Sequence, residues 1–404
     1  MNEALQSFRK KALAVGVLGV AATVAGFFLV ERSQFFQSYL IAFLYVLAFA
    51  GGSLALLMIH HLAGGRWSFC LQRPLEAASR TFPLLLVLFI PILFGLDYLY
   101  VWVHPEVSSD QVLHHVMHEK SVYLNVNGFY VRAAIIFAIW IGLATLLSAW
   151  SRQQDANPGQ AGALDLRMRK LSGIGLVIFG LATTFASFDW AMSIEPKWYS
   201  TIYGALFMVG QGIATLCLMA FTARALLRDA TYAKVATSQQ FHDIGNLMFA
   251  FTILWAYMSI GQYIIIWSGN LPEEIEYYLH RSHGVWPWVS IGLSVFHFGV
   301  PFLLLLLKAN KKRPHVLVRI AALLLFMRLV DFFWLITPAF RHQHFHVHWL
   351  DVVAPVGLFG LWLYFFVGQV LSRPLLPQHD PRFAHILGHP EEKDEGWEAD
   401  ASDA

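Results

Sequence analysis

Five side chains in this sequence could move protons where protons are costly to hold. Asp97, Asp189, Arg328 and Asp331 lie within or at the ends of long apolar runs, and His297 is the one ionisable imidazole near the centre of such a run. A charge at mid-bilayer costs about 2.5–3.5 kcal/mol on insertion scales, so a retained one is by default a functional candidate. Counted from Phe82 and Leu171, Asp97 and Asp189 fall near the far ends of their runs. Arg328 and Asp331 are three apart and can touch on one helix. His297 sits at a depth similar to Arg328. Such groups can take a proton from a bound hydroxyl or pass it along a hydrogen-bonded chain. The competing reading is structural: Arg328–Asp331 as a buried ion pair, and Asp189 as a group that caps a helix turn or pairs with Lys197.

The elements that must position these groups follow from composition. The chain is 57% hydrophobic and only 13% charged, against about a quarter charged in soluble domains. The apolar residues are gathered into runs of bilayer-spanning length. Ten spans are expected, over 12–30, 37–59, 82–103, 129–150, 171–190, 200–224, 245–267, 286–307, 316–337 and 350–371. The fold class is therefore all-α, a polytopic membrane protein in contact with the lipid bilayer. Net charge is +2, so no nucleic-acid-binding face is implied.

Basic residues divide unevenly between the connectors. One set carries Arg9, Lys10, Lys11, Arg66, Arg73, Arg80, Arg152, Arg167, Arg169, Lys170, Arg224, Arg228, Lys234, Lys308, Lys311, Lys312, Arg313, Arg319, Arg373, Arg382 and Lys393. The other carries only Arg32, Lys120, Arg132, Lys197, Arg281 and Arg341. The positive-inside rule then places both termini in the cytoplasm. The run after Arg9–Lys11 reads as a retained first helix rather than a cleaved signal.

The two halves share an order of features. Ala50–Leu57 in span two matches Gln211–Leu218 in span six; Asp97 with Pro105–Glu106 matches Gln262 with Pro272–Glu273. Asp189 precedes Pro196 by seven residues, as Asp331 precedes Pro338. Four helices per repeat is an even number, so the repeats are parallel. The expected division is 1–36 (N-terminal segment and first helix), 37–190 (first four-helix bundle), 191–338 (second four-helix bundle), 339–371 (outer His-rich loop and tenth helix) and 372–404 (cytoplasmic tail). Helices one and ten are then peripheral to two parallel-repeat bundles.

Resident metal chemistry is poorly supplied. Cys70 and Cys217 share no motif, which excludes a Cys-ligated iron–sulfur cluster or a CxxCH haem site within this chain. His60 and His61 lie at the edge of span two, and no two spans each offer a central histidine pair for haem. Histidines crowd the outer side: His104, His114, His115, His118, His280, His283, His342, His344, His346 and His348. His114 and His118 have helical metal spacing, while His342–His348 alternate as a strand would. A wet surface that docks a partner is the favoured reading, and no metal site is assigned.

Further along, Asp189-Trp190, Met192-Ser193, Pro196 and Trp198–Gly204 form a motif. It resembles a stretch of the NrfD-like, or polysulfide-reductase-like, integral membrane subunits. More closely it resembles those of alternative complex III, a bacterial quinol:cytochrome c oxidoreductase. Tyr123-Leu124-Asn125 leading to Arg132, and His348-Trp349-Leu350-Asp351, extend the likeness over most of spans two to ten. Length and the Ile-Tyr-Gly ending resemble the smaller of that complex's two membrane subunits. The resemblance implies ten helices and no tightly bound prosthetic group in this chain, with quinone or menaquinol as the visiting molecule. It implies a second NrfD-like membrane subunit, an outer-side iron–sulfur protein and c-type haem subunits as partners, in the bacterial inner membrane. It implies a role in quinone interaction or proton translocation in respiratory electron transport, in a subunit without a redox centre of its own. In that family the larger membrane subunit is the better-supported quinol site. The candidate ring contacts are Trp190, Trp198, Tyr203 and Gln262, within an outer belt of aromatics that otherwise reads as interfacial. Asp97, Asp189, His297, Arg328 and Asp331 are the proton-transfer candidates, and no residue is assigned as catalytic. A secondary transporter and a purely structural scaffold of a redox complex are the alternatives. Pro91 and Pro301, which interrupt spans three and eight, do not occupy matching repeat positions, which disfavours the transporter.

Overall fold

The computed structural model describes residues 2–64, 67–104, 106, 110–341, 345–377 and 379–381. These residues form helices and connectors, with no strand among them. The α-helices are α1 (Asn2–Leu29), α2 (Arg32–Ala63), α3 (Gln72–Ser79), α4 (Phe82–Phe94), α5 (Leu96–Leu99), α6 (Gln111–Lys120), α7 (Val126–Ala156), α8 (Ala161–Trp190), α9 (Tyr203–Leu226), α10 (Ala230–Ala233), α11 (Ser238–Gly269), α12 (Pro272–His280), α13 (Trp286–Gly292), α14 (Val300–Leu306), α15 (Lys308–Lys312), α16 (Pro314–Ile336) and α17 (Leu350–Leu371). Among the described residues, nine helical stretches are long and apolar enough to cross a bilayer. The chain is a multi-pass membrane protein. Helix α16 covers the remaining expected span as one continuous helix, but Arg319, Arg328 and Asp331 keep it out of that apolar class.

Helix α2 is buried on nearly every face. That matches its sequence, which is apolar all round rather than on one stripe. It packs against α3, α8, α9, α16 and α17. Helix α7 lies on α8, and α9 lies on α11 and α16. Helix α1 is mostly exposed and leans on α17. There Gly16 and Gly19 meet Gly360 and Gly357, and a methyl group built on Gly360 would lie 2.8 Å from the Gly16 nitrogen. Bilayer helices gain little from apolar burial against each other, so close backbone approach at small residues holds such pairs. The same device joins α2 to α9. Gly51 and Gly52 face Gln211 and Thr215, and the Thr215 hydroxyl donates to the Phe49 carbonyl at 3.2 Å. The two segments matched by sequence as a repeat therefore meet at one crossing.

Several boundaries differ from those expected. The third apolar stretch is Phe69–Phe94, not 82–103. It ends at Gly95, beyond which only the four-residue α5 and a 3₁₀ turn at Val101–Val103 follow. Buried Arg73, which reads as a loop charge, lies inside α3, where it pairs with buried Glu76 at 3.0 Å. Helices α7 and α8 run past the expected ends, so Arg152, Arg167, Arg169 and Lys170 ride on helical extensions. Span eight is not one regular helix, because a π-helix, Leu293–Gly299, separates α13 from α14. His346 and His348 sit in irregular chain, not in the strand their alternation suggested. Arg66, Pro105, His342, His344, Arg382, Lys393 and the tail from 382 lie outside the described residues.

Candidate functional site

Asp189 is in the last turn of α8, and its carboxylate is buried. Its partner is not Lys197 but Arg132 of α7, whose Nε donates to Oδ2 at 2.7 Å. The start of α7 holds Arg132 in place. Asn125 caps that helix by accepting from the Gly128 N–H at 2.7 Å, and the Arg132 guanidinium stacks 4.0 Å from the centre of the Tyr123 ring. Burial and the nearby Asp189 carboxylate push the Tyr123 hydroxyl above its ordinary value. Behind the pair, Trp190 is fully enclosed, with ring centroids 4.6 Å from Phe89 and 5.7 Å from Trp140. Lys197 instead bridges Asp110 at 2.6 Å and Glu276 at 3.2 Å.

Asp97 is exposed on α5 beyond the end of α4, with His104 Nε2 at 3.1 Å. Its expected position just inside a spanning helix is corrected by the break at Gly95.

Asp331 and Arg328 do pair, and both are buried. Gly210 of α9 makes room for the guanidinium, since any side chain there would collide with it. Trp255 of α11 interacts with Asp331 and packs edge-on against the His297 ring at 4.2 Å. His297 is fully buried in the π-helix, with neither ring nitrogen hydrogen-bonded among the described residues. The π turn has a local cause. Pro301 has no N–H to return to the His297 carbonyl, and the Val300 N–H reaches back to Val295, five residues away.

A groove of about 580 Å³ opens beside this chain of contacts, between α11, α12, α13 and α16. Asp331 and Trp255 line it, together with Gln262, Tyr278, Ser259 and Arg281. Its outer lip is made by Ile260, Tyr263, Trp267 and Ile291, which are exposed. Gln262 is fixed at both ends of its amide: Nε2 donates to the Tyr278 hydroxyl at 3.2 Å, and Oε1 accepts from Ser200 at 3.1 Å. Helix α12, begun by Pro272, lies across one end. Arg281, just after it, locks that end to the α8–α9 connector. Its guanidinium meets Glu195 at 2.9 Å, stacks 3.5 Å from the Tyr277 ring centre and donates to the Leu335 carbonyl at 2.8 Å. Glu195 also pairs with His280 Nδ1 at 2.8 Å. Burial works against the Glu195 charge, but Arg281 and His280 outweigh it and hold the carboxyl below the usual glutamate range.

No family model matches this chain, and no curated protein matches it. What the arrangement can do is therefore read from its own geometry.

The groove brings together Asp331 and Gln262, with Arg328 and His297 one contact behind them. It does not include the other expected ring contacts. Trp190 is a core residue of the first half. Trp198 stacks on Tyr277 at 3.9 Å, with Tyr203 edge-on to it at 5.6 Å, so both support the wall from behind. Trp198 also lines a separate, smaller hollow of about 360 Å³ with Tyr123 and Pro196. The sequence reading missed Arg132, Trp255, Tyr278 and the Glu195–Arg281 lock, whose partners lie far apart in sequence. It also missed a buried polar cluster at the opposite end. There Glu76 meets Arg73 at 3.0 Å, Arg373 at 3.1 Å and Ser151 at 2.6 Å, and Arg73 reaches Asp155. No group of three or more His, Cys, Asp or Glu among the described residues is placed to hold a metal ion. His114 and His118 share the helix α6, as their spacing predicts.

Proposed function

We propose that this chain is a membrane subunit of a bacterial quinol:cytochrome c oxidoreductase of the alternative complex III type, and that the groove receives a quinol headgroup. One observation carries the reading: an aromatic, largely apolar groove opens between membrane helices and ends on a buried carboxylate held beside an arginine. Such grooves, with few convergent polar groups, suit small apolar ligands. A quinol releases two electrons and two protons on oxidation. The electrons would leave for redox groups in partner subunits, an outer iron–sulfur protein and c-type haem subunits. This chain would bind, orient and accept protons. Gln262 and the Tyr278 hydroxyl offer hydrogen bonds to a ring oxygen. Asp331 is the proton acceptor, paired with Arg328 on the same helix. Trp255 links the acid to His297.

In the same proposal α16 is a tenth span. The helices within 37–190 and 191–338 form two parallel four-helix repeats flanked by α1 and α17, with both termini on the cytoplasmic side of the inner membrane. A second NrfD-like subunit completes the membrane part. A scaffold role is favoured at one place only, the Asp189–Arg132 pair between two helices. The test is quinol turnover and proton release by the intact complex carrying Asp331→Asn. A fall of about a hundredfold or more with unchanged subunit composition is expected. Unchanged turnover and proton release would remove Asp331 from the chemistry.

A further inference from the structure

A second groove, of about 640 Å³, lies at the other end of the chain's helices, where α1 begins and α9 and α17 end. Along α9 its lining runs from Leu218 to Leu226, ~12 Å of helix, and continues to Arg228 in the turn that follows. The first part is apolar: Phe221 of α9, Leu325 of α16, Phe359 and Phe366 of α17 and Phe8 of α1 form a slot parallel to the helices. The end of the slot is basic. Arg224 is in the last turn of α9 and Arg228 one turn further on, and no acidic side chain among the described residues lines the groove. The Arg224 side chain makes no ion pair or hydrogen bond to another described residue, whereas Arg228 has an interaction of its own that a phosphate would join.

An apolar slot with guanidiniums at one end matches an amphiphile with acyl chains and an anionic head. The planar arginine fork suits phosphate oxygens, and basic pockets between membrane helices select anionic lipid heads. An apolar helix of another subunit would fit the slot less well, because it would desolvate Arg224 without supplying a counter-charge. We propose that this groove is a binding site for an anionic glycerophospholipid, with acyl chains laid along α9 and α17 and the phosphate on Arg224 and Arg228. The site stands apart from the quinol groove, and either can fail without the other.

The test is native mass spectrometry of the delipidated full chain, with phosphatidylglycerol, cardiolipin or phosphatidylcholine added back. Wild type should retain one anionic lipid in preference to phosphatidylcholine, and the preferred anionic species tells whether one or two phosphates are recognised. The double variant Arg224→Ala/Arg228→Ala should weaken retention roughly thirtyfold. Ala225→Trp, which fills the slot and keeps both arginines, should remove it as well. If the double variant does not fold, Arg228→Ala alone and Ala225→Trp carry the comparison, since both positions are exposed. Equal retention of phosphatidylcholine, wild-type retention by both variants, or cross-linking that places a partner helix in the slot of the intact complex would overturn the proposal.

Discussion

Asp189 and Asp331 look alike in sequence, each near the C-terminal end of an apolar span and seven residues before a proline. Their surroundings differ. Asp189 reaches across to Arg132 on another helix, under the closed aromatic cluster around Trp190, and lines none of the grooves described above. Asp331 pairs with Arg328 on its own helix and faces the groove between α11 and α13. The first is a clamp between two helices. The second is a charged pair with access. Two acids alike in their sequence setting can thus sit one in a closed place and the other beside an open groove.

The comparison can be broken most forcefully at the clamp. Arg132→Ala leaves Asp189 buried without its partner and should cost about 3–5 kcal/mol of stability. Thermal unfolding in detergent should show the loss, while ligand binding to the groove of the folded fraction stays as in wild type. A groove that also loses its ligand would mean the two halves are not independent. A smaller effect is expected at Gly210, where an added methyl presses on the Arg328 guanidinium. Gly210→Ala should cost about 1–3 kcal/mol and disturb the groove before it disturbs α7 and α8. Tryptophan fluorescence of Trp255 against that of Trp190 would resolve the order, and an equal response in both regions would contradict it.

The smallest effect expected is that of pH on the lock between Glu195 and Arg281. Because the Glu195 carboxyl is held below its ordinary value, its contribution to stability is present above about pH 4.3 and is lost as pH falls through the lower folded value. Melting temperatures of wild type and Glu195→Gln should therefore differ near neutrality and converge in acid below that point. A difference that persists there would mean the lock rests on packing rather than on charge.

Much of the helical scaffold was legible because bilayer length and apolar composition leave few alternatives. Arg328 and Asp331 were legible because one helical turn separates them. Arg132 and Asp189 were not, since the pair forms only when α7 and α8 pack side by side. Asp97 was misplaced because the run from Phe82 to Val103 reads as continuous apolar chain, and the break at Gly95 shows only in three dimensions. Arg73 was read as a loop charge because nothing in its neighbourhood announces a buried cluster around Glu76, which Arg373, nearly three hundred residues later, also comes to meet. The groove itself depends on how α12 lies across α11 and α13, which no local pattern encodes.

The central claim is that the groove beside Asp331, and not the region around Asp189, receives the quinol headgroup. Equilibrium binding of a quinol analogue to the full chain, compared between wild type, Ser259→Phe and Arg132→Ala, tests it most directly. Ser259 lines the groove and is only half-buried, so a phenyl ring there should fill the space with little cost to the fold. Ser259→Phe should abolish saturable binding, and folded Arg132→Ala should retain it. Wild-type affinity in Ser259→Phe, or loss confined to Arg132→Ala, would contradict the claim.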